Sequence, residues 1–68
     1  MTREYIKGFA GKKLGYIQTD ERGNKSIFDF YGHKLGYYDK RTDTTRDFYG
    51  RIVAHGEQLG MFYNKLTK

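Results

Sequence analysis

Sixty-eight residues make one domain, read here as residues 1–68, and a chain this short buries only about 60% of its unfolded surface. It has no cysteine and two histidines, His33 and His55, which excludes disulfides and thiolate metal sites and leaves little for a histidine site. The net charge is +5, an ordinary excess for a small soluble domain.

Proline is absent and 18% of the residues are aromatic, which argues against disorder. The opening Met1-Thr2-Arg3-Glu4-Tyr5-Ile6 is too polar for a signal peptide. No apolar run approaches the roughly 18 residues of a membrane helix. The expectation is a soluble, cytoplasmic protein with no membrane partner.

In chain order, the first strand is expected over 3–8, ending at the turn-like Gly8-Phe9-Ala10-Gly11. A strand over 12–18 follows, then Asp20-Glu21-Arg22-Gly23. A strand over 25–30 runs into Asp29-Phe30-Tyr31-Gly32, and one over 44–48 into its identical copy Asp47-Phe48-Tyr49-Gly50. Aspartate first and glycine fourth is the preference of a type I turn. The aspartate accepts bonds from amides just ahead of it, and the glycine takes the positive φ that closes a bulged hairpin. Asp20, Gly23, Asp29, Gly32, Asp47 and Gly50 are therefore assigned to turns. Gly23 and Gly32 are nine residues apart, and Gly32 and Gly50 twice that, so another turn belongs near residue 41, at Asp39-Lys40-Arg41-Thr42-Asp43. It ends a strand over 33–39. Ile27, Phe28 and Phe30 break the alternation of their strand, by burial on both sides or by a bulge.

A second repeat follows the turns. Gly11-Lys12-Lys13-Leu14-Gly15-Tyr16 matches Gly32-His33-Lys34-Leu35-Gly36-Tyr37 and Gly56-Glu57-Gln58-Leu59-Gly60-Met61, with Gly50-Arg51-Ile52-Val53-Ala54-His55 a degenerate copy. Strand geometry puts Leu14 with Tyr16, Leu35 with Tyr37 and Leu59 with Met61, as core candidates. Gly15, Gly36 and Gly60 then form a lane on the opposite face. The copies predict strands over 51–55 and 58–63, with 63–68 a frayed tail. Leu59, Phe62, Tyr63 and Leu66 also carry helical spacing, so 57–66 reads as strand or helix, with strand preferred on the strength of the repeat. The predicted fold is all-β: an antiparallel meander of about six to seven short strands built from hairpin repeats, as an open sheet or a small barrel, with hairpin swapping between copies as a further form.

Asp47-Phe48-Tyr49-Gly50-Arg51-Ile52 resembles the core of the YD repeats of the Rhs family, and Asp29-Phe30-Tyr31-Gly32-His33-Lys34-Leu35 matches more loosely. The resemblance spans residues 20–56 at most. It implies β-hairpins and no activity. Phe28 and Arg46 stand where those repeats have tyrosine, and the chain is too short for the enclosures that YD arrays build.

Enzyme chemistry has little to stand on. Ser26 is the only serine and lies in a predicted strand without a nucleophile-elbow context. Neither histidine has metal-ligand spacing, and no glycine run forms a phosphate loop. The reading is no enzyme, no cofactor and no small-molecule substrate. What remains is a non-catalytic protein acting by protein interaction or self-association, a homodimer first, because a chain of this size gains core by pairing its sheet edges. The alternative is a nucleic-acid-binding module on a basic, tyrosine-bearing face, with Lys12, Lys13, Lys34, Arg51 and Tyr38 as its candidate surface.

Overall fold

The computed structural model describes residues 2–66. Six strands, β1 (Thr2–Lys7), β2 (Lys13–Thr19), β3 (Lys25–Asp29), β4 (Lys34–Asp39), β5 (Thr44–Asp47) and β6 (Ile52–His55), form one antiparallel sheet in chain order. The sheet is open, with β1 and β6 as its edges. In such a meander the β1–β2, β3–β4 and β5–β6 turns share one end, here the upper end. The β2–β3 and β4–β5 turns share the lower end.

Aspartate closes the turns. The amides of Arg22 and Asn24 donate to Asp20 Oδ1, those of Tyr31 and His33 to Asp29 Oδ1, and those of Tyr49 and Arg51 to Asp47 Oδ1, at 2.8–2.9 Å. Gly32 and Gly50 follow at φ 85° and 86°, a region L side chains enter only with strain. Near residue 41, Asp39 Oδ1 accepts from the Arg41 amide at 3.0 Å, and Asp43, not a glycine, takes the positive φ of 53°.

The second repeat is a bulge repeat. Ile6 pairs with Gly15 but Lys7 with Lys13, so Leu14 is the extra residue. Ile27 pairs with Gly36 but Phe28 with Lys34, leaving Leu35 extra. Thr45 pairs with Ala54 but Arg46 with Ile52, leaving Val53 extra. The same position of each copy is thus the inserted residue, and the small residue after it, Gly15, Gly36 or Ala54, returns to the ladder.

The copy that begins at Gly56 does not make a strand. Leu59–Phe62 is a 3₁₀ turn and Tyr63–Leu66 a turn of α-helix, which corrects the strand expected over 58–63. Leu59, Phe62 and Leu66 of the helical stripe are buried, and with Ile27 they form the core. Residues 63–66, expected in the frayed tail, are helical with Leu66 buried, while 67 and 68 lie outside the described residues.

This segment reverses the expected faces. It lies on the glycine lane: a Cβ on Gly15 would come within 3.1 Å of Leu66 Cδ2, and one on Gly36 within 2.7 Å of Phe62 Cε2. At Gly36 the lane is bare because the helical segment occupies it, while at Gly15 the Phe28 carbonyl of the neighbouring strand excludes a side chain even before Leu66 does. Tyr16 and Tyr37, expected in the core, lie on the opposite, open face, whereas Leu14 and Leu35, displaced by their bulges, pack against the core. Met61, expected beside Leu59, is 49% exposed.

Candidate functional site

Cross-strand partners share a face, so the register assembles the open face row by row. One row runs Arg3, Gln18, Ser26, Tyr37, Arg46, Ile52 across all six strands. The row above it runs Tyr5, Tyr16, Phe28, Lys34. Neither row contains a carboxylate. Glu4, Asp29 and Asp47 pair with Ile17, Gly15 and Gly36 on the helix-covered face, and Asp20 and Asp39 sit toward the lower turns.

Rings and cations interleave on this face. Tyr16 stacks on Phe28 at 4.8 Å between centroids and meets Tyr5 edge-on at 5.8 Å. The Arg3 guanidinium lies 4.4 Å from the Tyr16 ring centre, Lys13 Nζ 4.5 Å from that of Tyr5 and Lys34 Nζ 4.7 Å from that of Tyr37. Each such contact is worth about 0.5–1 kcal/mol at an exposed site. The Arg3 side chain also holds the Tyr5 hydroxyl below its ordinary pKa by hydrogen bonding.

At the upper end the two Asp-Phe-Tyr-Gly turns project their middle residues outward. Phe30 and Tyr31 are 65% and 82% exposed, Phe48 and Tyr49 63% and 78%. Within each tip the two rings meet edge to face, 5.7 Å and 5.4 Å apart. The aspartate at the base of each turn faces the helix side and is engaged: Asp29 Oδ2 lies 3.3 Å from His33 Nδ1, and Asp47 Oδ2 accepts from Arg51 Nε at 3.1 Å. A cavity of about 250 Å³, lined by Tyr5, Lys13, Gly15, Tyr16 and Phe30, opens where the open face meets this end.

The candidate surface residues separate on this geometry. Lys12, Lys13, Lys34 and Arg51 all follow upper turns and share that end. Tyr38 does not join them. It points to the helix side against the core, and its hydroxyl donates to Asp43 Oδ1 at 2.6 Å, a bond that raises its pKa above the ordinary tyrosine value. Tyr38 aligns with Lys25 and Thr45, one register step from Tyr37, so it faces the other way.

Phe30 and Phe48 fall within the strands expected over 25–30 and 44–48 but are turn residues. Their signal was present: an Asp-x-x-Gly turn asks nothing of its two middle positions, yet both copies place Phe-Tyr there. Ser26 lies mid-strand between Gln18 and Tyr37. Among the described residues no group of three or more His, Asp or Glu side chains converges to hold a metal ion. No protein-family model matches the chain, and neither a curated protein nor a solved structure matches it.

Proposed function

We propose that this is a non-catalytic protein that acts by binding, and that its first partner is a second copy of itself, joined along β6. The contrast between the two sheet edges carries this reading. β1 has Arg3, Glu4 and Lys7 among its six residues, and charges of that kind discourage a further strand. β6 is Ile52-Val53-Ala54-His55, with no acidic residue, Lys or Arg, and its Ile52 and Val53 are 51% and 40% exposed. The need for more burial supports it too. Ile27, Leu59, Phe62 and Leu66 are a small core for a chain with no disulfide.

Antiparallel pairing of β6 with its copy takes a two-fold axis normal to the sheet, giving an isologous interface. Both helical segments then stay on one side and the two open faces become continuous. The carboxylates Asp20, Asp29 and Asp47, occupied by turn amides, support the non-catalytic half of the reading. Sedimentation equilibrium at micromolar concentration should give twice the chain mass, and Val53→Lys, a charge placed on the edge, should return the mass of one chain. A single-chain mass for the unmodified protein overturns the proposal.

A further inference from the structure

The geometry points to a site for single-stranded nucleic acid at the junction of the open face and the upper end, centred on the cavity between Tyr5, Lys13, Tyr16 and Phe30. Such ligands are recognised by a cationic track for phosphates and aromatic faces for bases. This junction has both. Three aromatic side chains and one ammonium line a cavity large enough for one base. Lys13 sits at its edge, held 4.5 Å from the Tyr5 ring centre. Beyond it, Phe30 and Tyr31, mostly exposed, offer ring surface on a turn that Asp29 makes rigid.

Charge complementarity selects a polyanion. The two rows of the open face carry Arg3, Lys34 and Arg46 and no carboxylate. The carboxylates nearest this end, Asp29 and Asp47, turn to the helix side and are held by amides and by His33 and Arg51. The distribution of cations selects a linear ligand over an anionic bilayer. Lys12, Lys13, Lys34 and Arg51 gather at the projecting rings, as a bilayer-docking tip would have them, but Arg3 and Arg46 continue the charge down the open face, away from the tips. From β1 to β5 that face spans about 20 Å at the usual strand spacing, a track that a linear polyanion follows and a flat bilayer touching the tips does not reach. One face of the Tyr16 ring is already covered by Phe28, so the stacking surface falls mainly to Tyr5, Phe30 and Tyr31. The site uses neither face nor backbone of the β6 edge and does not depend on self-association.

The test is fluorescence anisotropy of a labelled oligothymidine single strand, at low and at physiological salt. It is run against the same-length duplex and against phosphatidylserine-containing vesicles. Binding should weaken with salt, as phosphate neutralisation requires. Phe30→Ala should weaken single-strand binding about tenfold, within the range for one lost base stack, and Lys13→Ala should weaken it and lower its salt slope by about 1, as one lost phosphate contact does. Lys65→Ala removes the same charge from the helical segment and should leave binding unchanged. Circular dichroism confirms that each variant is folded. The proposal is overturned by any of three results: no salt-sensitive binding of the single strand, equal loss in Lys65→Ala and Lys13→Ala, or capture by the vesicles without capture of the oligonucleotide.

Discussion

Gly36 shows how much one hydrogen atom can decide. Its Cα lies under the Phe62 ring and beside the Arg46 carbonyl, which a Cβ would approach at 2.7 Å. A carbonyl of the neighbouring strand has no rotamer into which to retreat. Gly36→Ala should therefore cost about 1–3 kcal/mol, as overpacking of a filled interior does. Gly60 occupies the same repeat position but has open space around it. Gly60→Ala should leave the urea midpoint unchanged or slightly raised. Comparing the two midpoints separates a repeat-wide role for the second glycine from the docking role described above. A similar economy operates at the turns, where one aspartate oxygen accepts two amides and no other side chain is required.

At the scale of elements, the helical segment is held to the sheet by Thr45. Its side chain is fully buried. Oγ1 donates to the Gly56 carbonyl at 2.7 Å and accepts from the Gln58 amide at 2.9 Å, which fixes where the chain leaves β6 and starts toward Leu59. Thr45→Val keeps the shape and strands both backbone groups without a partner. A loss of about 1–3 kcal/mol is expected. Amide exchange should accelerate over residues 58–62 before it does in β2 or β3, since the helical segment is released first. Exchange rising equally in all strands would show that the segment and sheet open as one unit. Thr45 itself gave no sign of this in the sequence. A threonine in a strand of Thr-Thr-Arg-Asp reads as β propensity, and its two acceptor and donor partners lie 11 and 13 residues away.

The whole molecule is predicted to be acid-sensitive. Asp47 lies below the ordinary carboxylate pKa, chiefly because of the Arg51 amide, with the Tyr49 amide and the Arg51 side chain adding to it. Asp20 is lowered as well: burial opposes, but the amides of Asn24 and Arg22 outweigh it. A carboxylate with a depressed native pKa binds fewer protons folded than unfolded. Its contribution is present above the unfolded value and lost as pH falls through the native one. These two aspartates secure turns at opposite ends of the sheet, so acid loosens both ends together. The urea midpoint should fall below about pH 4, and the fall should be shallower in an Asp20→Asn, Asp47→Asn variant, which retains an acceptor oxygen but no titration. An unchanged acid slope in that variant assigns the effect to other groups.

The local chemistry was legible from sequence because it is local. Asp-x-x-Gly sets a turn through atoms two to four residues apart, so the hairpins, the interval between them and the all-β meander follow from the chain itself. The basic residues at the upper end were legible for the same reason, since each follows a turn. What the sequence could not decide was which face is covered. Gly15 and Gly36 look alike whether they mark an empty lane or a packed one, and Leu59-Gly60-Met61 copies a strand motif. The deciding fact is that Leu59, Phe62 and Leu66 need an apolar surface, and only the glycine face of the assembled sheet lets them approach closely enough. That choice is made between segments more than 20 residues apart in the chain, by packing. It turns Tyr16, Tyr37 and the cations beside them outward, and Tyr38 inward. The hairpins belong to the sequence, and the face on which a ligand or a partner would bind belongs to the tertiary structure.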